Sequence, residues 1–143
     1  MTDLTTAAIA AGIENFRSTH LARGGAPDAF ALPPSFAVLL QHAPAAFAGY
    51  GLMRASIMRD HPEGALDLKT KELIFTLLDV VLGAKDGAKA HAANAVRLGL
   101  TLPELAEGLV QCLMAGGVTS WNLAGREVME HAHAVAEEMS KTG

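Results

Sequence analysis

Four polar residues, Lys69, Glu72, Thr76 and Asp79, recur at spacings of three, four and three within a strongly apolar stretch. Residues spaced in this way lie along one face of an α-helix. Two interpretations follow. In the first, the polar stripe is the solvent-facing side of the helix, with Lys69 and Glu72 forming a weak surface pair. In the second, Glu72 lines an internal cleft, where exclusion of water suits its carboxyl group to proton transfer.

A second candidate group is His91, on the next predicted helix, which a tight turn at Gly83 joins to the helix of Glu72. His91 falls on the same helical face as the small residues Ala88, Ala92 and Ala95, so we expect its ring to point inward. A lone inward histidine is often a hydrogen-bonded core residue. The alternative, a catalytic imidazole facing Glu72, stays open on periodicity alone.

The sequence contains one cysteine, Cys112, which excludes an intrachain disulfide and a dithiol redox centre. Cys112 lies within an apolar helical segment, so we interpret it as a packing residue. We expect no metal site, because His131 and His133 are two residues apart on a helix and point to different faces. Trp121, near the start of the last helix, is predicted to be a core or interface anchor, with a pocket wall as the alternative.

Proline, glycine and capping residues divide the chain into helices joined by short connections, without any useful stretch of β-type alternation. We predict an all-α fold of about six to seven helices, forming antiparallel hairpins in a single domain over residues 1–143. The first three predicted helices are Thr5–Leu21, Ser35–Gln41 and Ala45–Arg59. The fourth is capped by Asp67 and ends at Leu82, and the fifth is Asp86–Leu98. The sixth begins with a capping box at Thr101–Glu104 and ends near Ala115, and the last is capped by Thr119 or Ser120 and ends near Met139. Apolar residues cover most of the circumference of the Glu72 helix, which is therefore expected to be buried in the domain or in an interface: Leu73, Ile74, Phe75, Leu77, Leu78, Val80, Val81 and Leu82.

The composition narrows the possible functions. Half of the 143 residues are hydrophobic and only 18% are charged, which favours a homo-oligomer that buries apolar surface against copies of itself. The net charge is -4, and the lysines and arginines are scattered, which disfavours nucleic-acid binding. We find neither a signal-peptide pattern nor an apolar stretch of membrane-spanning length, and we therefore expect a cytoplasmic protein without a membrane partner.

Several segments in a fixed order carry a family resemblance. They are the run from Leu66 to Ile74, then Ala90-His91-Ala92 with Gly99 eight residues after the histidine, then Leu102–Glu107 and Gly117-Val118. Residues 66–122 thereby resemble the carboxymuconolactone decarboxylase and alkyl hydroperoxidase D superfamily. In the hydroperoxidase branch, eleven residues separate a glutamate from a Cys-x-x-Cys, and three more residues separate the second cysteine from a histidine.

Glu72 and His91 keep this separation, but Ala84 and Gly87 occupy the two cysteine positions. A dithiol peroxidase needs an attacking thiolate and a resolving thiol. Peroxiredoxin-type antioxidant activity is therefore an alternative that the sequence disfavours. The chain is more similar to the cysteine-free branch, that of gamma-carboxymuconolactone decarboxylase.

This resemblance implies decarboxylation of a small carboxylated lactone in aromatic compound catabolism, without metal or organic cofactor, in a trimer or a ring-shaped hexamer. It implies Glu72 and His91 as the acid/base pair and allows Lys69 or Lys71 to hold a substrate carboxylate. Decarboxylases of this branch tend to carry a tyrosine and a proline around the turn at Gly117-Val118, and this chain does not. The expected substrate is therefore a lactone or keto acid of this general class. A non-catalytic helical oligomer acting as a binding module is the remaining alternative.

Overall fold

The computed structural model describes residues 2–143, which form seven helices, a short 3-10 turn at Pro27–Ala29 and no β-strand. This confirms the predicted all-α fold and the number of helices. The helices are α1 (Asp3–Ala22), α2 (Pro34–His42), α3 (Pro44–Ile57), α4 (Leu68–Leu82), α5 (Lys85–Arg97), α6 (Leu102–Gly116) and α7, which consists of a first turn (Val118–Ser120), a π-helical segment (Trp121–Gly125) and a long α-helical segment (Arg126–Thr142). Within the described residues, no helix is both long and apolar enough to cross a membrane.

The chain comprises two compact units, residues 1–65 and residues 66–143. The prediction of a single domain stays a prediction. In the first unit, α1 packs against α3, and α2 packs against α3. Its core contains a cluster of four aromatic rings, whose neighbouring centroids are 4.8 to 6.4 Å apart: Phe16, Phe36, Phe47 and Tyr50.

The second unit is built around α5, which lies between α4 and α7. The inner face of α5 consists of small side chains, and Ala88, Ala92 and Ala95 are fully buried, as the sequence predicts. Small side chains let the neighbouring helices approach closely. Larger apolar side chains from α6 and α7 complete the core, among them Leu105, Leu109, Val128 and Val135.

Local capping interactions set the predicted ends of the helices in this unit. The Asp67 side chain accepts a hydrogen bond from the Thr70 N–H at 2.7 Å and starts α4. Gly83 ends that helix with a φ of 74°, in the left-handed region that favours glycine. Thr101 and Glu104 form the predicted capping box at the start of α6.

The start of α7 differs from the prediction. Neither Thr119 nor Ser120 caps the helix, because its first turn already begins at Val118, directly after Gly117. The Ser120 hydroxyl instead donates hydrogen bonds to the carbonyl oxygens of Cys112 and Gly117, at 3.1 and 2.8 Å. The π-helical segment that follows is a feature that propensity and periodicity do not reveal.

Within a single chain α4 is only partly buried, whereas the sequence predicts burial in the domain or in an interface. Half of its eight apolar residues are exposed, with fractions from 41% to 79%, namely Ile74, Leu78, Val81 and Leu82. The most buried residues of α4 include Glu72 and Thr76, at 0% exposure. The reason is that α5 packs against the polar stripe of α4, so the helix turns part of its apolar circumference outward.

Candidate active site

The hairpin of α4 and α5 brings Glu72 and His91 together. One carboxylate oxygen of Glu72, Oε2, lies 2.5 Å from Nδ1 of His91. Glu72 is fully buried, whereas 28% of the His91 side chain is exposed. The polar stripe is therefore not a solvent-facing side of α4, and the surface-pair interpretation is wrong. The carboxylate is sheltered, and the imidazole reaches solvent.

The hydrogen bond to Glu72 determines what the His91 ring can do. With Nδ1 directed at the carboxylate, the ring has its second nitrogen, Nε2, on the far side, free of Glu72. A carboxylate in this position fixes the orientation and the tautomer of an imidazole. The arrangement therefore suits His91 to exchange a proton with a bound molecule, with Glu72 acting through it.

Neighbouring side chains restrict the pair further. The ring of Phe75 stacks on the ring of His91, with centroids 5.1 Å apart and planes inclined by 22°. The amide of Asn94 donates toward both carboxylate oxygens of Glu72 in long contacts of 3.4 and 3.5 Å. The Thr76 hydroxyl donates to the backbone oxygen of Glu72 at 2.8 Å. Stacking and hydrogen bonding together hold the carboxylate and the imidazole in one geometry.

The sequence prediction missed the roles of Asn94 and Phe75. Asn94 lies three residues after His91 and thus on the same side of α5, which is a signal that helical spacing offers. Phe75 lies three residues after Glu72, but its apolar character made it indistinguishable from a core residue. Stacking on an imidazole cannot be inferred from spacing along one helix, because it depends on how two helices pack.

Asp79, the last residue of the polar stripe, is half-buried. Burial raises the pKa of its carboxyl group above the ordinary value, and the nearby charge of His91 opposes this rise. The carboxyl group of Asp79 also lies against Gly87 of α5. The structure thus places a second carboxyl group within electrostatic range of His91.

The two predicted substrate-binding lysines are both half-buried in the first turns of α4. The charge of Lys69 acts on Glu104, and so contributes to lowering the pKa of that carboxyl group, which the Thr101 hydrogen bonds lower most. The acidic neighbour of Lys69 is therefore Glu104, which is not part of the Glu72–His91 pair. For Lys71, as for Lys69, a role in substrate binding stays a prediction.

Cys112 is buried on α6, and its thiol donates to the backbone oxygen of Leu77 at 3.5 Å. Burial raises the pKa of the thiol above its ordinary value. A shielded thiol that ionises less readily agrees with the prediction of a packing residue. Trp121 is half-buried and packs against the hydrophobic core of the second unit, as expected for a core anchor.

Within residues 2–143, no group of three or more histidine, cysteine or acidic side chains is arranged to hold a metal ion. His131 and His133 are both exposed on α7.

Comparisons with known proteins agree with this fold. The family described as carboxymuconolactone decarboxylase matches residues 44–131, a range that contains both Glu72 and His91. A crystal structure from Burkholderia xenovorans LB400, provisionally named a carboxymuconolactone decarboxylase, superimposes with a TM-score of 0.80 at 26% sequence identity. The match covers 94% of this chain and 98% of that one. A search of curated proteins found no significant match. Because this family match spans more than half of the chain, the chain belongs to the carboxymuconolactone decarboxylase family.

Proposed function

We propose that this protein is a decarboxylase that acts on a small lactone or keto acid carrying a carboxylate, by acid/base chemistry without metal or organic cofactor. The observation that carries the proposal is the pairing of a fully buried Glu72 with a partly exposed His91. A buried carboxylate on an imidazole that reaches solvent is the arrangement expected of an enzyme. A binding module has no need of it.

The chemistry follows from this geometry. When the substrate loses CO2, the electron pair of the broken carbon–carbon bond moves into the neighbouring carbonyl group and forms an enolate. The protonated His91 ring transfers its proton to the enolate oxygen, and the Glu72 carboxylate fixes the orientation of the ring for the transfer. The carbon then takes a proton supplied in the end by water, and the enol returns its proton to His91, so that the reaction consumes one proton and releases one CO2. Lys69 and Lys71 are the residues we propose to hold the substrate carboxylate.

The test is a screen of lactone and keto-acid decarboxylation with the wild type beside Glu72→Gln and His91→Ala. Removal of a general acid or base costs about 10²–10⁴-fold in rate, so both variants should lose at least tenfold in kcat. Matched controls are Glu107→Gln and His131→Ala, which change exposed residues of the same types. Both controls should keep the wild-type rate. A wild type that releases no CO2 from any tested compound, or site variants as active as the controls, would reject the proposal.

We also propose that the protein associates with itself, as a trimer or hexamer. The support is the apolar surface that single chains leave exposed on α4 and α6, which includes Leu78, Leu82, Val110 and Met114. Light scattering behind size-exclusion chromatography should give three or six times the 14.9 kDa of one chain. A monomer at micromolar concentration would contradict this proposal and leave the assignment of the acid/base pair untouched.

A further inference from the structure

The polar stripe of α4 has a second end that the Glu72–His91 pair does not use. Asp79 lies seven residues, or about two helical turns, after Glu72 on the same side of the helix. There its Oδ2 oxygen lies so close to Gly87 that a Cβ atom built on Gly87 would be 2.6 Å away. A Cβ atom does not approach an oxygen so closely, so any side chain at position 87 would displace this carboxyl group.

The antiparallel course of α4 and α5 places this carboxyl group about one turn of α5 away from His91. Glu72 faces His91, and two turns further along α4, Asp79 faces Gly87, which lies one turn before His91 on α5. The electrostatic influence of His91 on Asp79 agrees with this proximity. The His91 imidazole therefore contacts the buried Glu72 carboxylate, and the half-buried Asp79 carboxyl group lies two helical turns further along α4.

We propose that Asp79 is a second proton-carrying catalytic residue of this site, and that position 87 is glycine because the Asp79 carboxyl group occupies the space of a side chain there. This inference rests on the proposed function. It adds Asp79, a residue that the family resemblance did not suggest. In the thiol relatives, position 87 holds a cysteine, and so leaves no space there for a carboxyl group from α4.

Asp79 supplies the proton that the reaction consumes. After CO2 has left and His91 has protonated the enolate oxygen, the Asp79 carboxyl group donates its proton to the carbon that carried the CO2. The new carbon–hydrogen bond forms as the enol gives its proton back to His91. Asp79 is left as a carboxylate and regains a proton from water. Overall, the reaction consumes one substrate carboxylate and one proton, and it forms one CO2 and one new C–H bond.

The surroundings of Asp79 suit a group that must be protonated before each turnover. Partial burial raises its pKa, which keeps a larger fraction of the carboxyl group protonated at a given pH. The charge of His91 on α5 acts in the opposite direction. On the same helix as His91, the charged side chains of Lys85 and Lys89 pair with Glu127 of α7.

The first test compares Asp79→Asn with Asp86→Asn, which removes an exposed carboxyl group from the first turn of α5. Asp79→Asn keeps the shape of the side chain and removes its proton. We expect kcat to fall at least tenfold, within the usual range for a general acid, while KM changes little. The decline of wild-type kcat toward high pH, where Asp79 ionises, should disappear in the variant. A purely structural role would leave that decline in place.

The second test is Gly87→Ala, alone and combined with Asp79→Asn. Alanine favours a helix over glycine by about 1 kcal/mol, so the fold should be kept or stabilised. Its methyl group displaces the Asp79 carboxyl group, and kcat should fall at least tenfold. In the double variant, kcat should equal that of Asp79→Asn alone, because the group that Gly87 accommodates no longer carries a proton.

The outcomes separate this inference from the proposed function. If His91→Ala loses activity and Asp79→Asn keeps the rate and pH profile of Asp86→Asn, Asp79 has no catalytic role and the acid/base pair stands. Full activity of Gly87→Ala would likewise contradict the inference. If the wild type decarboxylates none of the compounds, the proposed function fails and the role of Asp79 fails with it.

Discussion

Gly51 in the first unit and Gly87 in the second unit would both bring an added Cβ atom within 2.6 Å of another atom. The atoms they would meet differ. At Gly51 the obstacle is the backbone Cα of Gly12, where α1 and α3 cross. At Gly87 it is the terminal oxygen of the Asp79 side chain, which can move away. The first glycine is required by helix packing, and the second by the position of a carboxyl group.

The buried polar groups of the two units also differ, in whether they can exchange protons. In the first unit, Arg54 donates to Asn15 Oδ1 at 2.5 Å and to Thr19 Oγ1 at 3.2 Å, and its guanidinium carbon lies 4.1 Å from the centroid of the Phe16 ring. A guanidinium group keeps its charge at every relevant pH, so this cluster cannot exchange protons. The α4–α5 hairpin instead gathers two carboxyl groups and an imidazole. The nature of the buried polar groups thus separates a packing cluster from a candidate catalytic one.

The largest effect on stability is expected for Gly51→Ala. The added methyl group meets backbone, which cannot move without separating α1 from α3, so the free energy of unfolding should fall by about 3 kcal/mol. Gly49→Ala on the same helix is the matched control, because nothing lies within 4 Å of its added Cβ atom. Thermal unfolding followed by circular dichroism measures both. Equal melting temperatures for the two variants would remove the distinction between Gly51 and Gly87.

A smaller loss is expected for Arg54→Met. Methionine keeps much of the aliphatic stem but leaves Asn15 and Thr19 without the guanidinium donor, which should lower the free energy of unfolding by about 1–2 kcal/mol. Urea unfolding measures the change. The rate per folded molecule should stay that of the wild type, in contrast to His91→Ala. A fall in kcat at unchanged stability would show that the two clusters do not differ in the way described.

Local rules were enough to predict much of this molecule from its sequence. Asp67, Gly83 and the capping box at Thr101 act through neighbours in the chain, and the helix ends they predict are the ones observed. Helical periodicity and a short hairpin left the facing of Glu72 and His91 open, and the family resemblance favoured it. Which side of α4 is buried depends on the partner helix, and the exposure of Leu78 shows that apolar character alone does not decide it.

The position of Asp79 against Gly87 was beyond sequence reasoning for the same reason. Both residues were visible, one as the end of a polar stripe and the other at a cysteine position of thiol relatives. Their contact depends on the register between α4 and α5, which the residue pattern of a single helix does not determine. In the π-helical segment Trp121–Gly125, Gly125 is buried and an added Cβ atom there would lie 3.0 Å from the Trp121 ring.

A small gain in stability is expected for Asp79→Asn at neutral pH. Because burial raises the pKa of Asp79 in the folded protein, its ionised form is less favourable there than in the unfolded chain. The stability it contributes is complete below the ordinary value of 3.8 and is lost as the pH rises through the raised pKa. The variant should therefore be more stable than the wild type near pH 7 and equal to it in acid. A lower stability near pH 7 would mean that the carboxylate has a favourable partner.

The smallest effect, and the opposite in sign, is expected for Glu127→Gln on α7. Hydrogen bonds from Lys89 and Lys85 lower the pKa of Glu127, so this carboxylate contributes stability above its ordinary value of 4.5 and loses it as the pH falls through the lowered pKa. The variant should be slightly less stable than the wild type near pH 7, and the difference should vanish in acid. Urea unfolding at both pH values measures it beside Asp79→Asn. Both carboxyl groups lie close to α5, so effects of the same sign would show that proximity to this helix, and not the presence of a cationic partner, governs their energetics.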